Sequence, residues 1–256
     1  MREILTVENI YKSFDGLRVL NGISLNIQMG TINGLIGPNG AGKTTLFNII
    51  NGFLKPDSGK VYFMGHELTG LPPYKISSMG IGRTFQRPKL FLQITVIDNI
   101  LLAMRYNLGE DIEDVLFRYP AVMKEDKEKY NIALKYLKFV ELDGKKDVLA
   151  ENLSYGQRKL LELARALATD ANLLLLDEPF AGVFPYMREK IKNILLKIKK
   201  LGKTIIFIEH MINIVSSISD KIIFIAHGEK IAEGDPIEVL NNKRVIETYF
   251  GEDYGA

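Results

Sequence analysis

The sequence predicts an α/β fold in which helices surround a mainly parallel sheet. A glycine-rich stretch, 37–45, lies between a strand pattern at 31–36 and a helix pattern at 44–51. Two further runs, 173–176 and 205–208, are apolar without alternation, as expected for central parallel strands that are covered on both faces. These observations predict an α/β core, to which an antiparallel β subdomain and a helical subdomain insert are added.

The glycine-rich stretch matches the phosphate-binding pattern G-x-x-x-x-G-K-[ST]. Its residues are Gly37, Pro38, Asn39, Gly40, Ala41, Gly42, Lys43, Thr44 and Thr45. Glycines let the backbone turn tightly and direct N–H groups at phosphate oxygens, and the helix behind the loop adds its own free N–H groups. Lys43 supplies a cation for the β- and γ-phosphates of a nucleotide, and the Thr44 hydroxyl can bind Mg²⁺. The flanking strand and helix favour this P-loop NTPase core over an ordinary glycine-rich turn.

Length and composition limit the other possibilities. The 256 residues are enough for one large α/β domain, 1–256, and 46% hydrophobic with 25% charged residues is typical of globular proteins. A formal net charge of +2 does not suggest a nucleic-acid partner, and without cysteine there are neither disulfides nor thiolate metal sites. Neither a membrane-spanning run nor a signal peptide is present, which predicts a cytoplasmic protein that reaches a membrane only through a partner.

The N-terminal part predicts a β-hairpin. Strand patterns at 3–12 and 17–28 meet at Asp15-Gly16, a strong turn signal, and 60–64 is a further short strand. Phe14 stands at the turn. From the pattern alone, Phe14 is equally consistent with a buried hydrophobic contact and with stacking on a nucleotide base.

The middle of the chain predicts a helical insert. Thr95 and Asp98 form a capping-box pattern that opens a helix to about residue 106, and 121–141 carries apolar residues at helical spacing. We therefore expect residues 88–160 to form a helical subdomain. Before it, residues 83–86 suggest a strand that ends at Gln86.

A short polar stretch precedes the next helix, which we place at 158–168. It comprises Ser154, Tyr155, Gly156 and Gln157, of which Ser154 is a good N-cap and Gly156 permits close approach of the backbone. On its own, this segment is most simply a capped core helix.

The apolar strand 173–176 ends in two carboxylates, Asp177 and Glu178. Ligands of open α/β sheets bind beyond the carboxyl ends of the strands. Asp177 is therefore expected near Mg²⁺. Glu178 is expected near the γ-phosphate, where it can orient or deprotonate water.

The remaining candidate is a histidine at the end of the strand 204–208. His210 falls at the same sheet edge as Glu178, which favours contact with the γ-phosphate over a purely structural role. His66 and His227 lack such a setting and are predicted at the surface. A helix at 186–201, a strand pair at 221–226 and 230–232, and a helix at 236–241 complete the predicted fold.

Together these motifs resemble the ATP-binding-cassette (ABC) ATPases over essentially the whole chain. The matching pieces, in chain order, are the loop 37–45, Gln86, the signature 153–157, the strand end 173–179 and His210. The resemblance implies that Phe14 stacks on adenine and that Thr44, Gln86 and Asp177 surround Mg²⁺.

The same resemblance implies a head-to-tail dimer. Ser154, Tyr155, Gly156 and Gln157 of one subunit would cover the γ-phosphate that Lys43 of the other holds, so that each motif is used twice. Glu178 would polarise the attacking water and His210 would hold the γ-phosphate. The second subunit would be another copy of this chain or a related one.

Three segments are similar to the ATPase subunits of branched-chain amino-acid importers in particular: 80–91, the tyrosine in 155–157, and the tail 234–251. This implies permease subunits as partners, indirectly a solute-binding protein, and a place on the inner face of the cell membrane. Gln86 and Leu90-Phe91 are expected in a groove that accepts a permease helix, although an ordinary core role for Leu90-Phe91 is also open. Phe184 stands where that group usually has asparagine, and Met211 where aspartate commonly follows the histidine, which leaves the solute open.

Three alternatives remain at the level of sequence. The cassette could serve another solute, such as urea, a different amino acid or an exported lipid. A soluble cassette of DNA repair or translation usually has paired cassettes or a long coiled-coil insert, and this insert is too short for one. A P-loop kinase would leave the signature helix and His210 without a role.

Overall fold

The computed structural model describes residues 2–104 and 119–250. The strands are β1 Glu3–Phe14, β2 Leu17–Gln28, β3 Ile32–Ile36, β4 Ser58–Phe63, β5 His66–Glu67, β6 Ile81–Arg83, β7 Leu173–Asp177, β8 Thr204–Ile208, β9 Lys221–Ala226 and β10 Glu229–Gly234. The helices are α1 Lys43–Ile50, α2 Pro73–Met79, α3 Val96–Leu101, α4 Tyr119–Phe139, α5 Tyr155–Ala168, α6 Pro185–Lys200, α7 Ile212–Ile218, α8 Pro236–Leu240 and α9 Lys243–Phe250. Short 3₁₀ turns at Asp143–Lys145 and Ala150–Asn152 lie between α4 and α5.

The strands form two sheets. The larger sheet has the order β10-β9-β3-β8-β7-β6, and all its neighbouring pairs are parallel except β10 with β9. The smaller sheet, β2-β1-β4-β5, is antiparallel throughout. The predicted α/β core with a mainly parallel sheet and an antiparallel β subdomain is confirmed.

Both faces of the larger sheet are covered. In β8, Ile206 and Ile208 belong to the core shared with the antiparallel sheet and α1, whereas Ile205 and Phe207 belong to the core on the helical side. All five residues of β8 are buried. The continuous apolar runs predicted such strands, because a central parallel strand has no face left for water.

The helices α3, α4 and α5 pack together in the core on the helical side of the larger sheet. Ile97, Leu137 and Leu160 contribute one buried side chain from each helix. The predicted cap of α3 is confirmed, since Thr95 Oγ1 accepts a hydrogen bond from the Asp98 N–H at 3.2 Å. The helix ends at Leu101 rather than near residue 106, and the last part of that prediction lies outside the described residues. The boundaries 88–160 stay a prediction.

The strand before Gln86 is shorter than predicted. It ends at Arg83: Thr84 N still donates to Leu175 O of β7, but Phe85 N and Lys89 N both donate to the Glu162 carboxylate instead. A side chain on α5 thus replaces the neighbouring strand as hydrogen-bond acceptor.

Two helix boundaries also differ from the prediction. The helix predicted at 158–168 begins at Tyr155, directly behind its N-cap. The fold does not close at the helix predicted for 236–241, because α9 follows it and buries Val245. Within 2–104 and 119–250, no helix combines the length and the apolar character that a membrane crossing requires.

Candidate active site

The candidate site lies at one edge of the larger sheet. The strands β3, β8, β7 and β6 are consecutive neighbours and run parallel, so their carboxyl ends share that edge. The phosphate-loop candidate follows β3, His210 follows β8, Glu178 follows β7 and Gln86 follows β6. The strand order therefore gathers groups that are far apart in the chain.

Glu178 is at the centre of this arrangement. Gln86 Nε2 donates to Glu178 Oε2 at 3.0 Å, and His210 Nε2 lies 3.3 Å from Glu178 Oε1. The backbone of Glu178 has a φ of 48°, in the left-handed region that a non-glycine residue seldom adopts and that occurs disproportionately at functional sites. A carboxylate held from two sides in this way is suited to orient a water molecule and accept its proton.

Lys43 is folded onto its own loop. Its Nζ donates to the carbonyl oxygens of Gly37 and Pro38, at 2.8 Å each, and the side chain is buried. Burial lowers the pKa of Lys43, whereas the nearby charges of Glu178 and Asp177 raise it. The ammonium group thus interacts electrostatically with both predicted carboxylates.

The backbone of the loop has the shape that its glycines predicted. Gly42 is the N-cap of α1 with a φ of 96°, and no side chain caps this helix. A Cβ on Gly42 would lie 2.5 Å from Leu20 Cδ2 and 2.9 Å from Val19 O, so that position has room only for glycine. Asn39 and Gly40 at the loop tip are exposed, and the free N–H groups of α1 can meet an anion there.

Asp177 is buried beside a guanidinium. Arg83 Nη2 lies 3.6 Å from Asp177 Oδ2, and both side chains are at most 6% exposed. Burial raises the pKa of Asp177, and the charge of Arg83 opposes this shift. The sequence pattern predicted Arg83 only as part of a strand and did not indicate this contact.

The oxygen atoms near this edge fit Mg²⁺. Thr44 offers an exposed hydroxyl, Asp177 a carboxylate and Gln86 an amide oxygen, all hard donors. No group of three or more His, Cys, Asp or Glu side chains occurs among the described residues as a metal cage. Mg²⁺ commonly takes one or two protein oxygens and completes its shell with phosphate and water, so this small set suffices.

Two buried charged residues that sequence analysis missed support the site. Lys159 Nζ donates to the backbone oxygens of Gln86 at 2.8 Å and Glu178 at 3.0 Å, and so ties their backbones together. The Glu209 carboxylate accepts from Phe180 N at 2.8 Å and from His210 N at 3.1 Å. The available signal was a charged residue beside an apolar pattern: Lys159 on a core helix and Glu209 directly after a core strand.

The stretch Ser154–Gln157 forms the predicted cap of α5. Ser154 Oγ accepts from Gln157 N at 3.3 Å, and Gln157 Oε1 accepts from Ser154 N at 3.0 Å. Tyr155 is 41% exposed, and its hydroxyl donates to Gln86 O at 3.3 Å. Within one chain, Tyr155 therefore contacts the backbone of Gln86, while Ser154 and Tyr155 are exposed.

Phe14, His66 and His227 are all exposed. Phe14 is 43% exposed at the end of β1, which removes the interpretation as a buried hydrophobic contact, and Lys12 Nζ lies 5.5 Å from its ring centre. His66 and His227 are exposed, as predicted.

Known proteins match the chain over almost its whole length. A family model described as ABC transporter matches residues 20–181, and one described as branched-chain amino acid ATP-binding cassette transporter matches residues 229–255. A probable branched-chain amino acid transport ATP-binding protein, LivG of Archaeoglobus fulgidus, is 43% identical over 250 residues, or 97% of this chain and 96% of that protein.

Solved structures agree with these relatives. The ADP conformation of an ATP-binding cassette of an ABC transporter has a TM-score of 0.84 at 38% identity, covering 98% of this chain and 100% of the other. The dimeric structure of a post-hydrolysis cassette bound to ADP and Pi has a TM-score of 0.76 at 28% identity, covering 91% and 99%. With the loop, the carboxylates and His210 at one sheet edge, the chain belongs to the ATP-binding subunits of ABC transporters and is an ATPase.

Proposed function

We propose that this ATPase drives a membrane importer of branched-chain amino acids from the inner face of the cell membrane. The name of the Archaeoglobus relative and the family match at residues 229–255 support the substrate class. The chain would act as a peripheral subunit that is bound through permease subunits, with a solute-binding protein as an indirect partner.

The observation that carries the proposed chemistry is the pair of contacts on Glu178. Gln86 and His210 hold its two carboxylate oxygens, which leaves the group oriented toward the sheet edge where the loop lies. Glu178 would accept the proton of the attacking water, and His210 would hold the γ-phosphate. Lys43 would leave its loop carbonyls to bind the β- and γ-phosphates, and Phe14 would stack on the adenine.

The same edge would hold the cation. Thr44, Gln86 and Asp177 supply the oxygen atoms, and Mg²⁺ when bound neutralises charge on the phosphates. The loop residues Gly37, Pro38, Asn39, Gly40, Ala41, Gly42 and Thr45 would surround the phosphate chain with backbone N–H groups.

Nucleotide would be bound between two cassettes. Ser154 and Tyr155 are exposed, and Gly156 and Gln157 are half-buried. These four residues would cover the γ-phosphate held by the partner, so a two-fold pair would contain two sites. The dimeric relative bound to ADP and Pi supports this arrangement. Loss of the γ-phosphate would release the two subunits and pass the motion to the permease.

We propose residues 88–160 as the helical subdomain that, with the Gln86 segment, contacts the permease. Phe91 is 55% exposed, whereas Leu90 packs partly buried against the helical core. Of the two, Phe91 is therefore the residue available to a partner. Replacing Phe91 with Asp should uncouple ATP hydrolysis from solute uptake in the reconstituted complex, and unchanged uptake would exclude this contact.

Glu178→Gln tests the proposed base. The variant should bind ATP and stay dimeric by size-exclusion chromatography, while phosphate release slows by about 10²- to 10⁴-fold, the usual contribution of a general base. Glu8→Gln, an exposed change on β1, is the matched control and should hydrolyse ATP at the normal rate. Normal turnover of Glu178→Gln would exclude Glu178 as the base.

The solute is tested in the reconstituted complex with its permeases and binding protein. Leucine, isoleucine and valine should raise the rate of ATP hydrolysis, and urea should not. Stimulation by urea alone, or by a lipid alone, would replace the proposed substrate class.

A further inference from the structure

Asp57, in the turn between α1 and β4, binds the part of β1 that directly precedes Phe14. Its Oδ2 accepts a hydrogen bond from Ser13 N at 2.6 Å, and its Oδ1 accepts one from Lys12 Nζ at 2.7 Å. The Asp57 N–H donates to Tyr11 O at 2.9 Å. Three successive residues before Phe14 are therefore bound to one residue of another segment.

The pairing of β1 is irregular where these contacts occur. Its register with β2 shifts between Ile10 and Tyr11 and again between Lys12 and Ser13, and such irregularities redirect the side chains of a strand. The last pair that β1 forms with β4 is Tyr11 with Ser58. Since Asp57 directly precedes Ser58, its carboxylate continues the β4 side of the sheet beyond that last pair.

The turn alone does not explain these contacts of Asp57. Aspartate is common in turns, and the side chain is 44% exposed. Both of its oxygens are nevertheless used by residues 44 and 45 positions away in the chain. The hydrogen bonds from Lys12 and from the Ser13 N–H lower the pKa of Asp57, and an ionised carboxylate is a stronger acceptor than a neutral group.

The same carboxylate also fixes the charge beside the Phe14 ring. Lys12 Nζ lies 5.5 Å from the ring centre, and the Lys12 side chain is only 15% exposed. A cation over one face of an aromatic ring leaves the other face for a stacking partner. Phe14 itself is 43% exposed, so that partner can be a ligand.

Asp57 is connected to the phosphate loop through α1. This helix begins at Lys43, directly behind the loop, and the chain after it folds back on it, with Leu54 N donating to Asn48 O at 3.1 Å. A ribose of fixed size joins the base of a nucleotide to its phosphates. The positions that bind base and phosphates must therefore keep a constant separation, and Asp57 lies on the segment that links them.

We propose that Asp57 is a positioning residue for the nucleotide base. Chiefly through the Ser13 N–H, it holds the Phe14 ring at the distance from the phosphate loop that a nucleoside triphosphate requires. The inference rests on the proposed function, in which Phe14 stacks on adenine. Without the carboxylate, the end of the β1–β2 hairpin shifts relative to the loop, so the base loses its stacking surface while the phosphates keep their contacts.

Asp57→Ala separates base binding from phosphate binding. The dissociation constant for MgATP should rise about fivefold, as the loss of one hydrogen bond predicts. Inorganic tripolyphosphate with Mg²⁺ has no base and should bind the variant as tightly as the wild type. Isothermal titration measures both, and Asp147→Ala, which removes another exposed ion pair, with Lys146, is the control. Equal weakening of both ligands would exclude a role specific to the base.

A double-mutant cycle decides whether Asp57 acts through Phe14. Phe14→Ala alone should weaken ATP binding about tenfold, as the loss of stacking on a base does. Adding Asp57→Ala to this variant should cause little further loss, because the stacking surface is already absent. If the second change again costs about fivefold, Asp57 affects ATP by a route other than Phe14 and the proposal is wrong.

Asp57→Asn identifies the contact that matters. Its amide oxygen can still accept from Ser13 N, whereas the ion pair with Lys12 is lost. This variant should recover most of the affinity that Asp57→Ala loses, and an equally weak Asp57→Asn would overturn the assignment to the Ser13 N–H. Asp57→Ser, which also suits a turn, takes the place of Asp57→Ala if the alanine variant does not fold.

The outcomes distinguish this inference from the proposed function. If Phe14→Ala binds ATP as tightly as the wild type, the proposed stacking of Phe14 is wrong and the role of Asp57 fails with it. If Phe14→Ala weakens ATP binding but Asp57→Ala does not, the stacking stands and only the role of Asp57 fails.

Discussion

The starts of α1 and α5 differ in how their first N–H groups are satisfied. Helix α1 begins behind Gly42 without a side-chain cap, whereas α5 begins with a reciprocal pair between Ser154 and Gln157. An uncapped start leaves all of its first N–H groups for a ligand, whereas the capping box of α5 already pairs the N–H groups of Ser154 and Gln157 within its own chain. One chain thus holds a phosphate site that needs nucleotide and a second helix start that is stable before any partner arrives.

Gly42 at the start of α1 and Gly156 at the start of α5 also differ from each other. Gly42 has a left-handed φ of 96° and is pressed against β2, whereas a Cβ on Gly156 would meet the flexible Met187 side chain, with Cγ at 2.8 Å. The first glycine is required by the backbone and the second only by packing. Substitutions at these two places therefore test the contrast between the helix starts.

Gly42→Ala is expected to have the largest effect. The left-handed backbone and the contact with Val19 O together should lower the free energy of unfolding by about 3 kcal/mol. Gly156→Ala should lower it by less than about 1 kcal/mol, because Met187 can change rotamer. Urea unfolding measures both, and equal losses would show that the two glycines are equivalent.

Lys43→Ala is next. Removing the ammonium group of Lys43 at the start of α1 should weaken nucleotide binding about 100-fold, because a charged partner of the phosphates is lost. Isothermal titration with ATP is the measurement, and Lys60→Ala on the exposed side of β4 is the control. An unchanged affinity would contradict the proposed phosphate site.

Ser154→Ala weakens the capped start. Loss of the N-cap should lower the free energy of unfolding by about 1 kcal/mol. Ser154→Asn keeps a capping side chain and should recover most of that loss. If both variants are as stable as the wild type in urea, the cap contributes nothing to the fold.

The smallest expected effect is a pH dependence of folding stability that arises from Glu162 on α5. Burial raises the pKa of the Glu162 carboxyl, and the N–H groups of Phe85 and Lys89 oppose this in part. The folded chain therefore keeps this proton to higher pH than the unfolded chain, so Glu162 removes stability as the pH rises from the ordinary value through the raised one. Glu162→Gln lacks this titration and should gain in stability relative to wild type over that interval.

Urea midpoints of wild type and Glu162→Gln, measured from about pH 4 to about pH 8, test this sign. Glu8→Gln is the exposed control. A difference between Glu162→Gln and wild type that shrinks as the pH rises would mean that the carboxyl is stabilised as an anion.

Much of the fold followed from local patterns. The loop around Lys43 was predictable because residue type, spacing and flanking elements all lie within about twenty residues of chain. The central strands were predictable because burial on both faces leaves a continuous apolar run. The antiparallel sheet and the cap at Ser154 followed from turn and capping residues.

The supporting contacts of the site were not predictable in this way. Lys159 bonds the backbones of Gln86 and Glu178, and Glu162 bonds those of Phe85 and Lys89, across large distances in sequence. No periodicity marks such pairs, since their partners are carbonyl and N–H groups that every residue has. The early end of β6 at Arg83 is a result of these same contacts.

By itself, the sequence determined the separate pieces of this protein: a loop shaped for phosphates, strands that end in carboxylates or histidine, and a self-capped helix. Only the tertiary structure decided that β6, β7, β8 and β3 are neighbours, which brings Gln86 and His210 onto Glu178 and places Arg83 beside Asp177. The physical reason is one of range. Local propensities act over a few residues, whereas strand order and buried charge pairs depend on which distant segments share a core.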